Sequence, residues 1–282
     1  MRFRDAELNL RPGQPGGELA RDVLSDPPAW WQLKKKKTRD WTGAMAAQSA
    51  RVDLITLLHP FHSPEYIKKH EPVFADIHSF VVSTKPPAYP FPVDGKEAAR
   101  GGALFKEHCA RCHGTHDTAW TYPNRIVPLK DLGTDPVLAE AVTDREVELM
   151  NSTWLAREVG PDGKPYRFLP ARGYQAPPLD GVWATAPYFH NASVPTLYHV
   201  LNSKARPRVF TRSYRTAEED YDPVRVGWKV ATVEPPDAKL PYAERRNVYD
   251  TTRRGQGNGG HTFGDELTEA ERAAVIEYLK TL

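Results

Sequence analysis

Four-thiolate metal chemistry is excluded at once, because the 282-residue chain has only two cysteines. It also lacks any apolar run long enough to cross a bilayer, so no transmembrane helix is expected. Charge of one sign is missing too: 38 Lys and Arg against 36 Asp and Glu leave a net +2. That balance implies no polyanionic partner, and hence no nucleic acid. Methionine is scarce, with three copies. Proline is the opposite case. Its 26 copies imply short helices held by long, ordered loops, which suits a fold built around a bound group. At 31.8 kDa there is room for one large domain or two small ones.

The two cysteines stand together in Cys109-Ala-Arg-Cys-His113, the attachment pattern of a c-type haem. The thiols of Cys109 and Cys112, about one helical turn apart, can add to the two vinyl groups of one porphyrin. His113 follows directly and can reach the iron as proximal axial ligand. Competing explanations are a zinc site, a redox dithiol and chance. No His-x(3–5)-His pair follows at finger spacing, and no buried strand precedes the motif as a thioredoxin-like dithiol requires. The cofactor expected is one covalent haem c.

The flanks fit that expectation. Residues 96–108 read as a helix running into the motif, with Ala99, Ala103 and Phe105 as its inner face and Lys96, Arg100, Lys106 and Glu107 toward solvent. Gly101 lets a second helix cross closely, a gain that must outweigh its poor helix propensity. The expected partner is residues 267–282, where Thr268 and Glu271 form a capping box and Val275, Tyr278, Leu279 and Leu282 an apolar stripe. This helix–motif–helix frame resembles class I cytochrome c.

Before the motif, residues 1–28 are polar, with a Gly/Pro linker at 11–17. Trp30 and Trp31 precede four lysines, Lys34 to Lys37. A lysine run usually marks a solvated face; the alternative is docking of an acidic electron-transfer partner. Residues 43–59 read as an amphipathic helix with Met45, Val52, Ile55 and Leu58 inward. Ser63-Pro-Glu-Tyr opens another, and 71–84 a third carrying Phe74, Ile77, Val81 and Val82. Lys85-Pro-Pro-Ala-Tyr-Pro-Phe-Pro92 favours an extended connector. The expected division is therefore a helical segment over 1–92, the remnant of a truncated first domain, and a haem domain over 93–282.

After the motif, residues 114–254 hold 15 of the prolines, and so long a loop is expected to wrap the porphyrin. Short helices fit at 135–141, 144–152 and 193–201. Val224, Val226, Trp228 and Val230 alternate onto one face of a strand, which 207–215 could join as a hairpin around the acidic loop 218–223. Gly255-Gln-Gly-Asn-Gly-Gly260 reads as a flexible connector before His261. The fold class expected is mainly α: a cytochrome c-like helical haem domain with long Pro-rich loops and a small β-hairpin. Covalent haem attachment takes place outside the cytoplasm, so a periplasmic or extracellular location is expected. Met1-Arg-Phe-Arg-Asp-Ala-Glu7 has no apolar run behind it and is no signal peptide, so the chain reads as a fragment.

Two further stretches carry a family likeness. Ala176-Pro-Pro-Leu-Asp-Gly-Val-Trp-Ala-Thr-Ala-Pro-Tyr-Phe-His-Asn-Ala-Ser-Val-Pro-Thr-Leu197 resembles a signature shared by bacterial di-haem cytochrome c peroxidases and rubber oxygenases. Gly260-His-Thr-Phe-Gly-Asp-Glu-Leu267 and Glu277-Tyr-Leu-Lys-Thr-Leu282 resemble the carboxyl end of the rubber-oxygenase-like branch. Trp30-Trp-x-x-Lys-Lys-Lys and Asn124-Arg-Ile-Val-Pro-Leu129 fit the same branch. The likeness covers most of residues 27–282. It implies two haems, one per half, whereas this chain has one motif where the carboxyl-terminal haem would attach. The resemblance further implies that this haem passes electrons while the other reacts.

A second axial position remains to be filled. Donors are Met45, Met150 and nine other histidines, of which His108 and His116 stand too close to the motif to cross the ring plane. Met150 on a helix fits a core residue, and His190 in Tyr-Phe-His-Asn fits a loop anchor. His261, behind a glycine hinge and before the crossing helix, is the preferred sixth ligand, and the rubber oxygenases have a distal histidine in a similar Gly-His context. Open coordination comes second. Asp265 is a candidate hydrogen-bond partner for its other nitrogen. Arg111 could pair with a propionate, and Trp120, Trp183, Tyr188 and Phe189 are candidate wall residues. The leading function is an electron-transfer c-type cytochrome, its partner a redox protein or a second haem domain. The alternative is a haem peroxidase or rubber-oxygenase-like dioxygenase whose first haem domain lies elsewhere. A purely structural haem module is a third reading that no feature favours.

Overall fold

Proline and glycine decide how far each helix runs. The computed structural model describes residues 4–11, 23–58, 62–213, 215–237 and 247–282, with residues 239, 241 and 243. Most of the linker expected at 11–17 lies outside these residues. Ser63 caps helix α1 (Pro64–Lys69), accepting from the Tyr66 N–H, with proline in the first turn. Helix α2 (Glu71–Ser83) stops before the Lys85–Pro92 connector, which forms neither helix nor strand. Asp94 caps α3 (Gly95–His108), and α3 leads into α4 (Ala110–His113), ended by Gly114.

Beyond the motif the helices are brief. They are α5 (Leu129–Leu132), α6 (Val137–Glu140), α7 (Asp144–Ser152) and α8 (Leu197–Leu201), until α9 (Glu269–Lys280) closes the chain. The described chain is 39% helix and 12% strand. The mainly α expectation therefore fails, although the fold is not plainly of another class. Two causes are visible. Much of the helix is the tighter 3-10 form, as at Trp30–Lys35 and Ala50–Leu57. The prolines also divide the rest into turns too short to dominate.

The strands form four small antiparallel sheets among the described residues. β1 (Thr38–Arg39) pairs with β2 (Met45–Ala46), so the helix expected over 43–59 begins as a strand and continues as a 3-10 turn. β3 (Ile126–Pro128) pairs with β4 (Gly173–Gln175), Val127 opposite Tyr174. β5 (Val209–Thr211) lies between β8 (Ala231–Thr232) and β9 (Val248–Asp250). The single hairpin expected here is instead this three-stranded sheet plus a separate pair, β6 (Tyr221–Asp222) with β7 (Gly227–Trp228). The alternation at Val224–Val230 fails because Asp222 Oδ1 accepts from the Val224 and Arg225 N–H groups and turns the chain. Val224 is left 75% exposed while Val226, at φ +57°, is fully buried.

Helices α3 and α9 cross as expected, and the crossing is unusually close. A Cβ on Gly101 would stand 1.9 Å from the Ala274 carbonyl oxygen. The buried face of α3 is Ala98, Gly101 and Phe105; Ala99 and Ala103 are exposed. The helix is thus rotated from the expected face so that the glycine, not the alanines, meets α9. Phe105 packs on Tyr278 with ring centroids 5.1 Å apart, and the Thr268–Glu271 capping box is formed.

Two larger cores result. The first joins Phe105, Val194, Leu197, Val226, Val275 and Leu279. The second joins Leu8, Val52, Leu54, Ile67, Leu155 and Phe168, with Met150 packed against it, and so takes residues from both sides of Val93. Helix α2 buries none of its residues fully, and Val73, Ile77 and Phe80 are exposed. Ile77 is therefore not the inward residue expected.

Candidate haem site

Helix α3 delivers the motif, and its direction aims the three residues at one cleft. Cys109 ends α3 and its N–H bonds back to Phe105 O; the His113 N–H bonds to Cys109 O. Cys109, Cys112 and His113 therefore sit on about one turn of helix. All three line a cleft of about 1500 Å³, counting its open mouth. Burial pushes the Cys109 thiol up to about 11, with Cys112 adding to the shift, so as a free thiol it is weakly nucleophilic.

His113 is partly buried, and desolvation favours its neutral form. Its Nδ1 lies 2.8 Å from the Pro177 carbonyl oxygen. A carbonyl only accepts, so Nδ1 carries the proton and Nε2 is left as a lone-pair donor. Pro177 holds this place because Gln175 is paired in β4 and the Ala176 N–H bonds to Arg125 O. Tyr122 adds a bond from its hydroxyl to Ala176 O. No expectation from sequence included this carbonyl; the Pro-Pro pair at 177–178 was its only trace.

His261 lines the same cleft. Its ring centroid is 6.3 Å from that of His113, at an interplanar angle of 62°. Two metal–imidazole bonds of about 2.0 Å each, with the two ring radii, span about 6 Å. The pair therefore fits a single metal ion between the rings. Burial lowers His261 to about 4, with His113 and Arg206 contributing, so the ring is neutral and able to donate a lone pair. Its Nδ1 is buried without a hydrogen-bond partner. Asp265 does not serve it: its carboxylate accepts from the Ser203 N–H and hydroxyl.

The glycine run before His261 is not the flexible connector expected. Asn191 Nδ2 donates to Gly255 O and Gly257 O, and the Ser193 hydroxyl to Gly257 O. Arg206 donates to Asn258 O, Gly260 O and His261 O. The His261 N–H bonds to Leu132 O at 2.8 Å. Gly260, at φ +71°, is required, since a Cβ there would meet Gly133 C at 2.2 Å. The imidazole is pinned rather than swung.

The other candidates separate clearly. Met150 belongs to the second core. Met45 packs there as well. His190 lines the cleft but stacks on Tyr174 with centroids 4.1 Å apart, a loop anchor. Tyr188 and Phe189 line the cleft, whereas Trp183 and Trp120 do not. Trp183 Nε1 donates to Pro87 O, and Trp120 lies under Lys35 Nζ. Arg111 is exposed and stands 5.8 Å from the Phe263 ring. The lysine run is not one solvated face: Lys34 and Lys37 are exposed, Lys35 pairs with Asp180 at 2.7 Å, and Lys36 is buried.

Residues 173–211 match the model of a family described as RoxA-like, cytochrome c-like. That stretch supplies the Pro177 acceptor, the cleft wall and Arg206, and it is a cytochrome c-like region of the RoxA-like kind. The uncharacterized protein y4iM of Sinorhizobium fredii is 32% identical over 92% of this chain and 65% of its own length. The uncharacterized protein y4iJ of the same organism is 28% identical over 70% of this chain and 41% of its own length. The chain thus spans just under two thirds and about two fifths of these relatives. No helix among the described residues is long and apolar enough to cross a membrane.

Proposed function

We propose that the chain is a c-type cytochrome module that holds one haem on Cys109 and Cys112, with His113 and His261 as its axial pair, and transfers electrons. The observation that carries this reading is the 6.3 Å separation of two neutral, partly buried imidazoles in the cleft that Cys109 and Cys112 also line. Bound there, the haem supplies a one-electron iron couple.

The chain's residues bind, orient and exclude water. Pro177 O fixes the His113 tautomer, Leu132 O and Arg206 hold His261 in place, and Tyr188, Leu197 and Val275 keep the cleft apolar. Held by both His113 and His261, the group would offer no open position to a substrate and would supply electron exchange rather than peroxidase or oxygenase chemistry. A redox protein or a second haem domain would be its partner in that exchange. Haem attachment assigns the module to a compartment outside the cytoplasm.

His261→Ala is the test. The ferric spectrum of the holoprotein should turn from low-spin to high-spin, the potential should rise, and cyanide should bind. A variant that stays low-spin with its potential unmoved would exclude His261 as ligand.

A further inference from the structure

Among the lysines at 34–37, Lys36 is singular. It follows the 3-10 turn Trp30–Lys35, where its N–H bonds to Leu33 O and its carbonyl accepts from Gln48 Nε2. The backbone is thus fixed and the residue is only 5% exposed. Its side chain lines the haem cleft. No hydrogen bond or ion pair reaches its ammonium among the described residues. Lys35 beside it has Asp180, and the nearby Asp40 Oδ1 is taken by Thr42 and Gly43.

An ammonium without a partner in an apolar wall is costly, and a protein either neutralises it or meets it with a counter-charge. Burial lowers Lys36 to about 8, against a smaller upward pull from Asp40, so it remains largely cationic at neutral pH. Among the described residues the cleft wall is otherwise almost free of charge. The one carboxyl among them is Asp26, which burial pushes up to about 6. Arg111, the other lining cation with a fixed charge, belongs to the cysteine motif and is exposed. A porphyrin held by its vinyl edge on Cys109 and Cys112 must carry its two propionates at the other edge. Those anions require a cation that the apolar wall does not provide.

We propose that Lys36 receives a haem propionate, its Nζ donating to a carboxylate oxygen, and so completes the site as its buried counter-charge. This rests on the haem reading given above. Removing a cation this close to the ring favours the ferric state, because ferric iron is the more positive form.

The experiment uses holoprotein matured with covalent haem, as wild type, Lys36→Met and Lys36→Arg. Mass is read first: a wild-type chain without added haem overturns the cofactor reading, and this proposal with it. Where haem is present, Lys36→Met should keep the wild-type low-spin spectrum. At a fixed ambient potential its ferrous-to-ferric ratio should fall about tenfold, 59 mV for a one-electron couple, and Lys36→Arg should restore it. A Lys36→Met holoprotein with an unmoved ratio overturns the assignment to Lys36 alone. If Lys36→Met fails to accumulate, infrared spectra of wild type and Lys36→Arg with 13C-labelled propionates decide. The carboxylate stretch should shift between the two, and an unshifted band overturns the proposal.

Discussion

The first core borders the cleft and the second does not, and their side chains differ accordingly. The first core is rich in aromatic rings, with their polar tips tied to backbone. Tyr188 donates to Val226 O, Tyr221 to Trp183 O, Tyr89 to Pro223 O, and Trp228 Nε1 to Ala186 O. The second core is mainly aliphatic, built on Leu8, Val52, Leu54, Ile67 and Leu155 around Phe168, with the flexible Met150 filling beside them. An aliphatic cluster closes on itself. The core that borders the cleft instead holds its rings at both ends, apolar against their neighbours and hydrogen-bonded behind.

Leu54→Ala tests that separation most severely. Leu54 is fully buried, and its truncation should cost about 2–5 kcal/mol, read by denaturant unfolding. The haem spectrum of the folded variant should be unchanged. A spectral shift would show that the two cores are one.

Acid should act next, and on the cleft side. His199 at the start of α8 is held neutral to about 4 by burial, with Arg225 and Arg206 adding, against 6.5 for a free imidazole. Unfolding therefore takes up a proton between these values, so stability rises with pH. The contribution is complete above about 6.5 and is lost as the pH falls toward 4, amounting to about 3 kcal/mol. Unfolding of wild type and His199→Asn across pH 4–7 checks it; parallel profiles would count against it.

Gly101→Leu sharpens the comparison from within the first core. The side chain would be driven into the α9 backbone at Ala274, costing about 1–3 kcal/mol or more. Because α3 carries the motif, the cleft spectrum should change with the melting temperature, unlike Leu54→Ala. An unchanged melting temperature would remove the crossing from the account.

What the sequence made legible was local. The helix into Cys109 and the capping box at Thr268 each rest on residues within a few positions of one another, and the distant crossing was legible only because each helix carries its own local mark, Gly101 on one and the apolar stripe on the other. Non-local partners were hidden. Nothing near His113 announces that Pro177 O will fix its ring, and nothing near His261 announces Arg206. The class was misjudged for the same reason: apolar spacing at 43–59 looks helical, but pairing of Thr38–Arg39 with Met45–Ala46 overrides it. Glycines at 255–260 read as loose because composition does not reveal the carbonyl acceptors they offer to Asn191, Ser193 and Arg206.

The two anchoring carbonyls also bear on the order of folding. Pro177 lies 64 residues beyond His113, and Leu132 precedes His261 by more than a hundred. The cost of closing such loops grows only slowly with length, so stability suffers little. Folding rate is more sensitive, since contacts of high sequence separation form late. The cysteines belong to a local helix that can form early, whereas the facing imidazole arrives last. A porphyrin tethered to that helix would therefore be held first by its edge, and the chain would close over it afterwards.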